Sequence, residues 1–335
     1  MKKTIIYIIL AVVVAACTHF EDSRDSRAIV FRAVLESDTC RTKVTPTRET
    51  DLKSLPLGLV AFTHKHRATP RSKWVLLPET TGAVEVRYNQ SHAADDPGKW
   101  VPLSQIHWPG KEEFIRFFAY APHGALTIAT SGVSSSGIPA PYIDYTVPTN
   151  LDEQKDILVA ATDAFHDNPT MDKIDVPLTF SHALAGLRFR VQTGTRIKYV
   201  KVSGIYGKGI FDAEEEWIVD NNQTFEYIIG QETSDAVLAI EPYEDEAGVI
   251  DSNYSILTLD QTLLVLPQDI PETAYIEAVV IEGSGATAKE RKVSGNIGGG
   301  QWFKGHIYIY DITGPLSLVV AYTERYLKGD DLPLR

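Results

Sequence analysis

Nowhere in the sequence do apolar residues keep a helical 3.6-residue period over a long stretch. They fall in short runs separated by Gly, Pro, Ser, Asn and Asp. Few long helices are therefore expected, although Ala183 to Leu187 could form a short turn. A chain of many short strands with frequent turns points to β-sandwiches. The 18 Pro and 23 Gly spread along 335 residues fit that reading, because both residues punctuate strands. Apolar residues make up 44% of the chain, enough for a sizeable core. The fold class read from this pattern is all-β.

Ile29, Phe31, Ala33 and Leu35 alternate with Arg32 and Glu36, which predicts a strand over residues 28–36 with one face buried. Further strands are predicted at 57–62, 84–88, 114–120, 157–161, 176–180, 187–191, 197–202, 225–229, 257–266, 276–281, 305–312 and 316–322. The segment 131–148, rich in Ser, Gly and Pro, reads as an irregular loop. The polar segment 166–175 contains Pro169 and reads as a domain boundary, dividing the chain into sandwiches over 28–170 and 171–335.

The N-terminus reads as a sorting signal. Lys2 and Lys3 precede twelve unbroken apolar residues, Ile5 to Ala16. Twelve residues are too few to cross a hydrocarbon core of about 30 Å as a helix, but they suit the h-region of a secretory signal. The run ends Val14-Ala15-Ala16-Cys17, which resembles a bacterial lipobox. Residues 1–17 are therefore expected to form a lipoprotein signal whose Cys17 receives diacylglycerol and a palmitate-type acyl chain. Several buried acyl chains anchor a protein stably, so an outer-membrane lipoprotein at the cell surface is expected. Phe20-Glu21-Asp22, just beyond, resembles the acidic tag of surface-exposed lipoproteins; an acidic tether would look the same.

Charge and composition remove several functions. Lys plus Arg number 32 against 44 Asp plus Glu, a net charge of −12, so no nucleic-acid partner is expected. Two cysteines cannot build a disulfide framework or a four-thiolate zinc site. Ser134, Ser135 and Ser136 form no nucleophile elbow. His64 and His66 share a strand face but lack an evident third zinc ligand. Glu241, Glu244, Asp245, Glu246, Asp251 and Asn253 do not match the spacing of a calcium loop. Gly298-Gly299-Gly300 suits a tight turn and lacks the context of a phosphate cradle. His182 lies within an apolar face and reads as a core histidine. No catalytic, cofactor or metal residue is assigned, and the chain is not read as an enzyme. Cys40, in a polar loop, is given no role.

Several segments resemble one family, the fimbrillins, which are subunits of type V pili. They are Tyr145-Thr-Val-Pro148; Gln154-Lys-Asp156-Ile-Leu158-Val159-Ala160; Val176-Pro-Leu178-Thr-Phe180-Ser-His182-Ala183-Leu184-Ala185-Gly-Leu187; Gly204-Ile205 with Gly209-Ile-Phe211; Leu266-Pro267-Gln268; and Gln301-Trp302 through Gly305-His-Ile-Tyr308-Ile-Tyr310. Together they cover roughly residues 145–312, whereas residues 63–113 match no segment of the family. The resemblance implies two tandem transthyretin-like β-sandwiches. It also implies assembly by protease-triggered donor-strand exchange. An Arg-specific maturation protease removes the first strand with its lipid, and a strand of another subunit fills the groove. Here the displaced strand would carry Ile29, Phe31, Ala33 and Leu35 inward. Cleavage would follow Arg41, the first candidate, or Arg48, the second, where Pro46 favours an extended chain. The expected partners are other fimbrial subunits, that protease, and the outer membrane through the lipid on Cys17. The alternative is a monomeric surface lipoprotein that binds glycan or host protein through sandwich loops, with Trp74, Trp100 and Trp108 as stacking candidates.

Overall fold

The computed structural model describes residues 29–35, 52–89, 99–109, 113–166, 175–212, 216–233, 236–245, 248–283, 287–313 and 317–325. Among these, regular structure is strand apart from single turns of 3-10 helix. No helix among them is long and apolar enough to cross a membrane.

The first half contributes β1 (Phe31–Leu35), β2 (Leu57–His64), β3 (Val75–Leu76), β4 (Val84–Asn89), β5 (Lys99–Pro102), β6 (Phe114–Ala121), β7 (Ile128–Ala129), β8 (Tyr142–Thr146), β9 (Leu158–Ala161), β10 (Phe165–His166) and β11 (Val176–His182). Nine of these form one sheet in the order β10-β6-β9-β11-β1-β5-β4-β2-β3. A second pairing, of β2 with β6 from Gly58↔Tyr120 to His64↔Phe114, makes the sheet close around its core. Closure removes the exposed edges that an open sandwich must protect.

The alternation of side chains explains the two faces of this sheet. Leu57, Leu59 and Ala61 of β2, Ile115, Phe117 and Ala119 of β6, and Val176, Leu178 and Phe180 of β11 point inward. The opposite faces of β2, β6 and β9 are buried too: Val60, Phe62, Phe118, Tyr120 and Val159 belong to the core of the second half. Burial on both faces accounts for the unbroken apolar run at 114–120. Arg116, the charge inside that run, lies over the Trp74 ring at 5.0 Å.

The second half adds β12 (Ala185–Gln192), β13 (Arg196–Tyr206), β14 (Lys208–Asp212), β15 (Trp217–Val219), β16 (Thr224–Gly230), β17 (Ile240–Glu244), β18 (Ile250–Leu257), β19 (Leu263–Val265), β20 (Gln268–Asp269), β21 (Tyr275–Glu282), β22 (Lys289–Asn296), β23 (Gln301–Trp302), β24 (His306–Thr313) and β25 (Ser317–Arg325). One sheet runs β17-β18-β12-β24-β25, with β19 also on β12; the other runs β16-β13-β21-β22. Leu187, Phe189, Tyr310 and Ile312 from the first sheet meet Val200, Val202, Ile276 and Ala278 from the second in one apolar layer. In both halves the opening strand lies parallel to a late one: β1 on β11 and β12 on β24.

Three expectations from the sequence are corrected. The segment 166–175 was expected to separate two domains, yet β10 and β11 on either side of it belong to one sheet. The chain leaves that sheet only after His182, because Val176, Leu178 and Phe180 complete the first core. The expected strand 257–266 is broken by the turn Leu259–Gln261, which places β18 and β19 on different stretches of β12. The loop 131–148 contains β8, paired with β14 over Tyr142↔Asp212 to Thr146↔Lys208.

Trp302 and Tyr310 pin the end of the second core. The Trp302 indole N–H donates to the Tyr310 hydroxyl at 3.0 Å, and both residues are buried. Burial pushes the phenols of Tyr310 and Tyr145 up to about 12. A phenol whose folded value is raised stabilises the fold fully below its ordinary value of about 10, and the benefit disappears as pH rises. The stability that these phenols confer is therefore expected to fall from about pH 10 and to be lost as pH passes about 12. Absorbance of tyrosinate and circular dichroism should change together. Ionisation of these phenols near pH 10 without loss of structure would refute their burial.

Candidate functional site

The arrangement that stands out chemically is the slot occupied by β1. On one side β1 pairs with β11 in a parallel ladder of five residues, Phe31↔Val176 to Leu35↔Phe180. On the other side its pairing with β5 is confined to Phe31↔Trp100. Two backbone bonds hold the entry to the strand: Ile29 N–H donates to Ile106 O at 2.8 Å, and Val176 N–H donates to Val30 O at 2.9 Å.

Ile29, Phe31 and Ala33 are buried, Leu35 packs at the rim of the same core, and Arg32 points to solvent. The Phe31 ring meets Phe117 edge-on at 5.1 Å, and Phe117 in turn contacts Phe165 at 6.4 Å. Trp100, Ile106, Phe117, Leu178 and Phe180 line the slot. Without β1, these side chains would face water, and the ladder groups of β11 would be unpaired. A segment with alternating apolar residues satisfies both needs at once. Trp100 and Ile106 were not recognised as slot walls in the sequence, because alternation reveals which face is buried but not what it faces.

The remaining sequence candidates fall elsewhere. Cys17, Arg41 and Arg48 lie outside the described residues, as do Phe20-Glu21-Asp22, Cys40, Glu246 and the C-terminal residues 326–335. Trp100 and Trp108 are core residues, which removes them as stacking platforms for a sugar. Trp74 is half-buried; its N–H donates to Thr69 O at 3.0 Å and one face stacks on His64 at 5.7 Å. His64 stacks on Phe114 as well, and its Nδ1 contacts His66 O at 2.7 Å. Burial, then the charge of Arg116, push the His64 imidazole below its ordinary range.

His182 is buried, with its Nδ1 3.0 Å from Asp156 Oδ1. Ser134 Oγ accepts from the backbone N–H of Ser136 and Ile138, as in a local turn. Asp245 and Asp251 likewise accept from neighbouring backbone N–H groups. Among the described residues, no three His, Cys, Asp or Glu side chains gather as metal ligands. Gly298-Gly299-Gly300 packs against the 270–274 turn, where a Cβ on Gly298 would lie 2.5 Å from the Glu272 Cα.

Gln154 ties the two halves together. Its amide donates to Pro148 O at 2.8 Å and its carbonyl accepts from Leu264 N–H at 2.8 Å. Within the second half, Gln268 brackets Tyr206, accepting from its N–H and donating to its carbonyl. These are two of the polar residues singled out in the sequence motifs, and here they satisfy backbone groups that no strand ladder reaches.

A family model described as fimbrillin-like matches residues 42–320. The chain belongs to the fimbrillin-like family. The match runs from before β2 into β25, and β1 lies ahead of it. A comparison with curated protein sequences gives no match. Among solved structures, a candidate cell adhesion protein from Bacteroides ovatus superposes on this fimbrillin-like chain with a TM-score of 0.50 at 14% identity, covering 92% of this chain and 100% of that one. The fimbrial anchor protein Mfa2 from Porphyromonas gingivalis gives 0.38 at 11% identity, covering 89% and 97%. A fimbrial assembly protein from Parabacteroides distasonis gives 0.40 at 13%, covering 86% and 92%. The likeness to the Bacteroides ovatus protein is one of fold.

Proposed function

We propose that this fimbrillin-like chain is a cell-surface fimbrial subunit. It is exported as an outer-membrane lipoprotein on Cys17 and joined to other subunits by replacement of β1. The observation that carries the reading is the attachment of β1: it plugs the first core with Ile29, Phe31 and Ala33, yet its pairing with β5 is a single bridge. A plug of this kind keeps the monomer soluble during export and leaves an apolar slot when withdrawn. The groove then accepts a strand that repeats its alternation, and the many subunit contacts along a fimbria each reuse this one site. In this reading cleavage follows Arg41, with Arg48 as second choice, and separates the lipid-bearing strand from the rest.

With Trp100 and Trp108 in the core, the glycan-binding alternative keeps only the half-buried Trp74, which is stacked on His64. Because β11 belongs to the first sheet and β12 to the next, we also propose that the two structural units divide after His182.

Arg41→Ala decides the matter. The variant is expected to accumulate as lipidated monomer whose N-terminal residue is Cys17, while the unaltered chain gives protease-dependent polymer beginning at Thr42. Normal polymer from Arg41→Ala, beginning at Glu49, would transfer the role to Arg48. Normal polymer from the double variant would overturn cleavage after either residue.

A further inference from the structure

We propose that the loop between β2 and β3 forms a binding pocket for an acidic carbohydrate, a chain of carboxylated sugar rings. Recognition there is by charge and hydroxyl groups, without an aromatic platform. The pocket shares no residue with the β1 slot, so it stands apart from strand replacement and adds a ligand to the fimbrial reading.

The loop is a basic island on an acidic chain. Residues 64–73 read His-Lys-His-Arg-Ala-Thr-Pro-Arg-Ser-Lys, against a net charge of −12. Lys65, Arg67 and Lys73 are exposed, and among the described residues they make no ion pair. Arg71 differs, reaching Asp212 at 3.5 Å and Pro141 O. Lys99, Lys198 and Lys201 likewise each face a carboxylate. Unpaired cations gathered in one loop repel one another, and an arriving anion relieves that repulsion.

The fold sets the cations around a cavity. The ladder between the two arms of the loop ends at Thr63↔Val75. Lys65 and Lys73 stand two residues further out on either arm, and all four residues line one open pocket of about 510 Å³. That size is within the range of small-ligand sites. Pro70 and Val75, the latter 63% exposed, add apolar surface, and Glu113, just before β6, is the acidic member. The walls are preformed. The His64 ring is held between Trp74 and Phe114, at 5.7 and 5.5 Å, and its Nδ1 bonds to His66 O. His66 N–H donates to Thr69 Oγ1 at 3.2 Å, and the Trp74 indole N–H donates to Thr69 O. A preorganised site loses little freedom on binding.

The mixture of groups selects the ligand class. Lysines are compact cations that suit a carboxylate or a phosphate. Glu113 accepts hydrogen bonds and repels negative charge, so a densely charged polyanion is disfavoured beside it. A sugar acid answers each group: its carboxylate meets the lysines, its hydroxyls donate to Glu113, and the C–H face of its ring covers Pro70 and Val75. A neutral sugar leaves the lysines uncompensated. An acidic peptide side chain brings no hydroxyl beside its carboxylate.

The test is calorimetric titration of the full chain, in mild detergent, with tetragalacturonate. Saturable binding is expected, weaker by about tenfold or more for the methyl ester, which keeps the hydroxyls and loses the charge. Lys65→Gln with Lys73→Gln should weaken binding by a similar factor. Thermal unfolding of that variant should be unchanged, because both side chains are exposed. Glu113→Ala should also weaken binding, by about threefold or more, although it removes a negative charge. Absence of saturable binding, or equal binding by the double lysine variant, would overturn the proposal. Tighter binding by Glu113→Ala, or equal binding of polyglutamate or polyphosphate, would overturn it as well, and the loop would then be a surface that attracts any anion. Since the uncleaved chain is used and the slot is unaltered, failure here leaves strand replacement untouched.

Discussion

Phe31→Ala is expected to destabilise the first sheet by about 3–5 kcal/mol, the range for removing a fully enclosed aromatic ring. The ring has no exposed surface, meets Phe117 edge-on at 5.1 Å, and sits where β11, β1 and β5 converge. A closed sheet cannot collapse easily into the space left behind, because its strands are joined on both sides. Arg32→Ala, one residue away and exposed, should change stability by less than about 0.5 kcal/mol. Urea unfolding of the two variants provides the comparison. A cost for Phe31→Ala near that of Arg32→Ala would mean that β1 rests on the surface and plugs nothing. The same contrast bears on function: a peptide of residues 28–36 should occupy the slot of a cleaved subunit, and its Phe31→Ala form should not.

Asp311→Ala should cost a similar amount, about 3–5 kcal/mol, by leaving a buried charge without its partner. Arg190 donates two bonds to Asp311, at 2.6 and 2.7 Å, and its guanidinium lies 4.6 Å from the rings of both Tyr243 and Tyr254. The pair is largely withdrawn from water, with 15% and 10% of the side chains exposed. Hydrogen bonding to Asp311 foremost lifts the Arg190 pKa above its already high range, and because a guanidinium stays protonated in proteins even without such a partner, the charge cannot be shed when the carboxylate is removed. Replacing both residues with Leu should recover most of the loss, since a buried ion pair is commonly worth little more than apolar groups of similar volume. Thermal and urea unfolding of the single and double variants would show it. Equal losses in Asp311→Ala and the double variant would mean that the orphaned Arg190 charge is not the source of the cost.

The sequence carried a good deal of this structure, in a specific sense. The alternation Ile29, Phe31, Ala33 identified which side chains of β1 turn inward, and the mixture of Gly and Pro with short apolar runs argued against long helices. The paired aromatics Trp302 and Tyr310 could be read as core, because large rings dominate burial. Cys17, Arg41 and Arg48 rest on the sequence motifs alone.

Other features were not legible. Val176, Leu178 and Phe180 announce a strand with one buried face, and nothing in them says that the face belongs to the first core. Trp100 had the same standing as Trp74 until one was placed inside the closed sheet and the other at its margin. Arg190 looked like any charged strand residue, although it pairs with Asp311, 121 positions away.

The physical reason is one of range. Side-chain period and turn chemistry act over a few residues, so the sequence alone determined that the chain is all-β, where most strands lie, and which face of each is apolar. Which strand neighbours which is settled by contacts between distant segments, such as β1 with β11 or β2 with β6. The cost of closing a loop rises only slowly with its length, so sequence separation alone does not select among such pairings. Only the tertiary structure decided that the first sheet closes, that β11 completes it, and that β1 is its plug.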